Sequence, residues 1–315
     1  MSAILQDPDL ALEEPVPRRG GFLWQVIRER PSAAVGAAGL VVAVLAALLA
    51  PVLAPYGLHE QVGGVFEPPS SRHWLGLDDG GIDMVTLLLW GLRVSLLVGF
   101  AATLVAMLLG GAVGLTAGYF GGTTESVLMR ATDYFIVVPE VPLMIVVAAI
   151  WGPSLFHIIV VIGVLLWAGT ARIVRAQVKS VRERVYVKRA RALGAGHART
   201  LLRHVLPQVA PLLVANTVLT VAVAIFDETF LSFLGLGDPS SVSLGKIIES
   251  AFERSAISAG AWWAIVPPGV EVALLVLACS LLGQAMEDAL NPRLKVAYLS
   301  VRHFRVLPRW PEAQP

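Results

Sequence analysis

The sequence predicts an all-α, polytopic membrane protein with six transmembrane helices and one helical hairpin standing out from the bundle. Three observations lead there. Hydrophobic residues make up 56% of the 315 positions and charged residues 15%, and the mean hydropathy is +0.72. A soluble domain of this length carries far more charge. The apolar residues gather in six stretches of roughly membrane-spanning length. The basic residues fall unevenly between those stretches.

A spanning helix needs about 20 mainly apolar residues, because lipid offers the backbone no hydrogen-bond partners. The stretches lie at about 33–54, 94–118, 134–151, 155–170, 209–226 and 264–282. Gly152, Pro153 and Ser154 form the turn between the third and fourth. Pro211, Pro267 and Pro268 suit first-turn positions, where a missing N–H costs little, and Pro139 and Pro142 predict a kink in the third helix. Residues 1–30 lack apolar periodicity and read as a disordered tail. The apolar run after them exceeds the core of a signal peptide, about 7 to 15 residues, and reads as a retained span within a transmembrane domain at 31–294. Residues 295–315 form a second tail. One cysteine, Cys279, excludes an intrachain disulfide and reads as a small buried side chain.

Basic residues are retained on the cytoplasmic side of a membrane. Of the 24 lysines and arginines, 20 lie in the two tails and in the second and fourth connections. Only Arg72, Arg93, Lys246 and Arg254 lie in the others. Both termini are therefore expected in the cytoplasm. A net charge of +1 gives no general attraction to nucleic acid.

The fourth connection, 171–208, is the outlier. Its ten basic residues, Arg172, Arg175, Lys179, Arg182, Arg184, Lys188, Arg189, Arg191, Arg199 and Arg203, face one acid, Glu183. No glycine or proline interrupts 171–193, and Val174, Val178, Val181 and Val185 recur at helical spacing on one face. Gly194, Ala195 and Gly196 break that helix, and Ala198, Leu201, Leu202 and Val205 predict a second one ending at Pro207. A solvated basic face that fixes topology or meets anionic lipid is one reading. A rigid element inserting its glycine-rich tip into a partner is the other, and the valine stripe favours it.

The stretch Tyr186-Val187-Lys188-Arg189-Ala190-Arg191-Ala192-Leu193-Gly194-Ala195, followed by Arg203-His204-Val205-Leu206-Pro207, resembles the EAA loop of ABC importer permeases. Three further blocks are similar to the C-type permeases of the dipeptide, oligopeptide and nickel family. They are Leu75-Gly76-Leu77-Asp78-Asp79-Gly80-Gly81-Ile82-Asp83, Glu228-Thr229-Phe230-Leu231-Ser232-Phe233-Leu234-Gly235-Leu236-Gly237, and Asp288-Ala289-Leu290-Asn291-Pro292-Arg293-Leu294. The resemblance implies a permease of a bacterial cell membrane that takes up short peptides, with nickel, a metal complex or another small polar solute as alternative cargo. It implies a second homologous permease, two ABC ATPase subunits and an extracytoplasmic substrate-binding protein as partners, with ATP and Mg held by the ATPases. Tyr186, Lys188, Arg189, Ala190, Arg191, Ala192, Leu193, Gly194, Ala195 and Gly196 would be the ATPase-coupling residues. Lys188 and Arg189 depart from the loop's usual acidic and small residues. Ile82 stands where an arginine is common, and Leu244 where a tryptophan is.

No phosphate-binding glycine loop with lysine, no HExxH pair and no nucleophile elbow occurs in the chain. A transport subunit with no catalytic role and no cofactor of its own is therefore expected, its energy coming from another chain. An ion-coupled secondary transporter is the rival reading, although no internal repeat supports it. Ionisable residues within apolar segments are costly unless paired or hydrated. Glu140, Glu228 and Glu271 are the translocation-path candidates on that ground. Asp227 and Glu228 are read at the outer surface, where snorkelling is the competing explanation for Asp227, Glu228 and Glu271.

Overall fold

The computed structural model describes residues 22–290, all helix and connection apart from one isolated β-bridge between Leu77 and Asp83. Both tails beyond these limits lie outside the described residues. A short helix α1 (Phe22–Glu29) occupies part of the segment read as a tail, with Val26 and Ile27 turned away from solvent. Val26 is buried against α2 (Pro31–Leu53) and α11 (Val266–Leu290).

The second span is longer than its apolar run. Helix α3 (Met84–Phe120) starts at the Asp83 N-cap, whose carboxylate accepts from the Thr86 amide at 3.0 Å. Its 37 residues measure about 55 Å, well beyond the roughly 30 Å of a hydrocarbon core. Helix α6 (Leu155–Arg182) likewise continues past its apolar part to Arg182. The two pack closely along Gly110, Gly114 and Gly118. A Cβ at Gly114 would lie 2.6 Å from the Ala171 carbonyl oxygen, and one at Gly118 would lie 2.7 Å from Val178 Cβ. The glycine repeat thus serves packing within the chain.

The third span is broken rather than kinked. Helix α4 (Gly122–Val137) and helix α5 (Glu140–Trp151) meet at 84° around Val138 and Pro139. Pro139 supplies no N–H and disfavours helical geometry in the residue before it, so Val138 is extended. Counted as one span, the pair brings the number of candidate spans from five to six.

The fifth span is also longer than its apolar run. Helix α8 (His197–Thr200), a π-helical turn (Leu201–Val205) and helix α9 (Leu206–Leu231) run on as one rod, ending in a second π-helical segment (Ser232–Leu236). Pro207 therefore does not end the hairpin arm, and Pro211 lies inside the rod instead of in its first turn. The Leu206 amide donates to Leu201 O, and this wider turn admits the proline that follows. A tenth helix, α10 (Leu244–Glu253), lies unpredicted in the connection before α11, capped by Ser243 Oγ.

Both described ends of the chain lie together, joined by an Arg30–Asp288 ion pair at 2.7 Å. They share the end that carries the basic segment, called here the basic end. Trp263 and α10 lie at the opposite end, where Trp263 Nε1 donates to Leu77 O at 3.1 Å.

Candidate functional site

At the basic end the predicted single helix is two. Helix α6 stops at Arg182, Glu183 and Arg184 turn the chain, and helix α7 (Val185–Ala192) follows. Val174, Val178 and Val181 are buried as predicted, but Val185 lies past the turn and is 62% exposed. Val187 takes its place, with no exposed surface, in a cluster with Tyr119, Val205 and Val209. The turn is fastened by charge. Glu183 pairs with Lys188 at 2.8 Å and Arg182 at 3.3 Å, and Arg182 Nη1 donates to the Tyr119 carbonyl at 3.0 Å. The Lys188 ammonium, then Arg182, holds the Glu183 carboxyl below the usual carboxylate range.

Helix α7 ends in a Schellman motif. The Gly194 amide donates to Arg191 O and the Ala195 amide to Ala190 O, with Gly194 at φ +86°. That left-handed conformation suits glycine. Leu193, 88% exposed, forms the tip beside it. The structure therefore brings Tyr186, Lys188, Arg189, Ala190, Arg191, Ala192, Leu193, Gly194, Ala195 and Gly196 onto one hairpin. Arg184, Arg189, Arg191, Arg199 and Arg203 make no ion pair among the described residues, whereas the basic residues nearer the bundle do. Arg172 pairs with Asp133 at 2.6 Å, and Glu125 pairs with both Arg175 and Lys179. A polar cavity of about 350 Å³, lined by Tyr119, Arg182, Lys188, Arg191 and His197, lies between the α3 end and α7.

The carboxylates predicted for the pathway do not converge. Glu228 is not at a surface, since α9 continues beyond it. It is 1% exposed and accepts from Ser95 and Ser232, each at 2.8 Å. Glu271 is half-buried and faces an apolar groove of about 360 Å³ between α2 and α11, with Oε2 lacking a hydrogen-bond partner. Glu140 opens α5 at the break and is exposed. The acid nearest it along the α5–α9 contact is Asp227, 6% exposed, because Met144 of α5 shares a buried cluster with Ala224 and Leu231 of α9. The candidate set omits Asp227, although the sequence reads it beside Glu228 at the outer surface.

At the opposite end the block around Gly76 is a cap for α3. Asp78 Oδ1 accepts from the Gly80 and Ile82 amides at 2.8 and 2.7 Å, and His73 pairs with Asp83 at 3.2 Å. Burial pushes the Asp78 carboxyl up. No group of three or more His, Cys, Asp or Glu side chains is placed to hold a metal ion among the described residues.

Residues 110–296 match the family model for the binding-protein-dependent transport system inner membrane component, which covers the glycine ladder, the hairpin and α9 to α11. The chain belongs to that family. Residues 22–69 also match the N-terminal TM domain of oligopeptide transport permease C. The dipeptide transport system permease protein DppC of Bacillus subtilis is 34% identical over 86% of this chain and 85% of its own length. The di/tripeptide transport system permease protein DppC of Pseudomonas aeruginosa is 34% identical over 94% of this chain and 98% of its own. The oligopeptide transport system permease protein OppC of Bacillus subtilis is 32% identical over 90% and 93%. The chain is accordingly an integral membrane protein of the ABC permease kind.

Proposed function

We propose that this chain is one permease subunit of an ATP-driven importer of short peptides, and that its basic hairpin is the surface on which an ATPase subunit docks. The carrying observation is the contrast within the hairpin. Its root is interlocked through Val187, Glu183 and Arg182, whereas its tip at Leu193 and Gly194 is exposed and its outer arginines are unpaired among the described residues. A rigid root with an unsatisfied tip transmits a push. Closure of the ATPases on ATP and Mg, which they hold themselves, then moves α6 and α9 together. A second, homologous permease completes the pathway, and an extracytoplasmic binding protein delivers the peptide.

The relatives named for dipeptides, tripeptides and oligopeptides support peptide cargo over a metal complex. The excess of basic residues around the hairpin supports a cytoplasmic basic end, with both termini there, in a bacterial cell membrane. Substitution at Gly194 tests the docking. Gly194→Asn tolerates the left-handed conformation and keeps transport. Gly194→Trp leaves the chain in the membrane but blocks the tip, so co-purification with the ATPase and peptide uptake both fall. Wild-type uptake by the Trp variant refutes docking at the tip, and uptake by the purified chain without any ATPase refutes the importer reading.

A further inference from the structure

Glu140 and Asp227 flank the contact between α5 and α9, where Met144, one turn beyond Glu140, shares a buried cluster with Ala224 and Leu231, one turn either side of Asp227. Helix α5 reaches the opposite end at Trp151, next to Leu155, whose amide donates to Asp238 Oδ2 at 3.2 Å. Glu140 is one α5 length below that point, about 18 Å at 1.5 Å per residue. Phe135, just before the break, stacks edge-on with Trp167, far down α6. Asp227 lies four residues before α9 ends at Leu231, and the π-helical segment that follows is broken at Gly235 (φ +79°), so Asp227 is at most about 15 Å from Gly237. Half of a hydrocarbon core is about 15 Å.

Neither acid serves the fold. Asp227 is nine-tenths buried, yet its Oδ2 has no hydrogen-bond partner among the described residues. The next residue, Glu228, is satisfied by two serines. No lysine, arginine or histidine pairs with Glu140 or Asp227 among the described residues. Glu140 is exposed on the isolated chain at mid-depth, where a carboxylate against hydrocarbon costs several kcal/mol. That face therefore meets protein or water. The break agrees, because the first amides of α5 have no side-chain cap, and uncapped backbone at this depth is tolerated only beside protein or a wet cavity.

We propose that Glu140 and Asp227 form a midplane site for the primary ammonium group of the transported peptide. The proposal rests on the peptide-importer reading. An ammonium brings one positive charge and three N–H donors to two carboxylates that lack both. Every unmodified short peptide carries that group whatever its side chains, so the site grips what all its substrates share. Two carboxylates without a fixed counter-ion hold a passing cation without keeping it.

The test uses the complete transporter in lipid nanodiscs and compares binding of trialanine with binding of N-acetyl-trialanine. The wild type prefers the free amine by about tenfold, the scale of one charge-assisted hydrogen bond. Glu140→Gln with Asp227→Asn abolishes the preference, and Glu140→Asp with Asp227→Glu restores most of it. Each single neutral variant weakens the preference, so the question is answered even if the double variant fails to assemble, as judged by its ATPase activity. Equal binding of the two peptides by the wild type, including no binding of either, overturns the site. So does a preference that survives neutralisation. Trialanine import by the wild type with its binding protein is scored separately. Failure there overturns the peptide reading, whereas import with no amine preference overturns only the carboxylate site.

Discussion

Ser95 of α3 donates a 2.8 Å hydrogen bond to Glu228 Oε2 of α9, and its oxygen accepts from the Leu244 amide of α10 at 3.3 Å. One hydroxyl thus ties three helices to a single buried acid. Glu228→Ala removes the acceptor for Ser95 and Ser232 and opens a cavity, costing about 2 to 4 kcal/mol. Glu228→Gln keeps the shape and one acceptor, costing about 1 kcal/mol. Thermal unfolding of the purified chain ranks the two, and proteolysis near α10 reports the local loosening. Equal losses from both variants contradict the network.

The α3–α6 contact separates two neighbouring glycines. A Cβ at Gly114 meets the Ala171 carbonyl and Val174 Cβ at 2.6 and 2.7 Å, whereas one at Gly111 meets nothing within 4 Å. Gly114→Leu therefore overpacks the contact and costs about 2 to 3 kcal/mol. Gly111→Ala is neutral or raises stability by up to about 1 kcal/mol, since glycine is the poorer helix former. Yield and melting temperature of the two variants, measured side by side, check the difference.

The hairpin turn has a pH dependence of defined sign. Glu183 binds its proton less readily in the closed turn than in the open one, because Lys188 and Arg182 face it. The closed turn is therefore favoured above the ordinary carboxylate range and loses that advantage as pH falls through the lowered value. Hydrogen exchange at the Val187 and Lys188 amides, corrected for intrinsic rate, is expected to stay constant from pH 7 to about 5 and to quicken below about 4. Glu183→Gln removes the change. A constant rate in the wild type down to pH 3 contradicts the contact.

Long apolar runs made the spans legible, and charge counting made the hairpin legible. What stayed hidden has physical causes in particular residues. Hydropathy sees composition and not direction, so Pro139 reads as a kink while the chain turns by 84°. It marks the end of apolar character and not the end of a helix, so Asp227 and Glu228 read as surface residues while α9 continues to Leu231. Periodicity placed Val185 with the valine stripe, but a two-residue turn shifted the register, and Val187 is the buried residue. Pro207 reads as a stop only when no wide turn precedes it. The separation of Glu140, Glu228 and Glu271 into three environments depends on how helices distant in sequence pack, which no local pattern contains.

The glycine ladder has a mechanical corollary. Two rods that touch only through flexible side chains can slide and bend separately, and a load on one is dissipated between them. Where backbone meets backbone at Gly114 and Gly118, α3 and α6 share shear and behave as one beam. The hairpin is fixed to one end of this beam, and Trp167, against which the broken span rests at Phe135, lies near its middle. A load on the hairpin is therefore expected to reach the bundle beside Phe135, just before the 84° break.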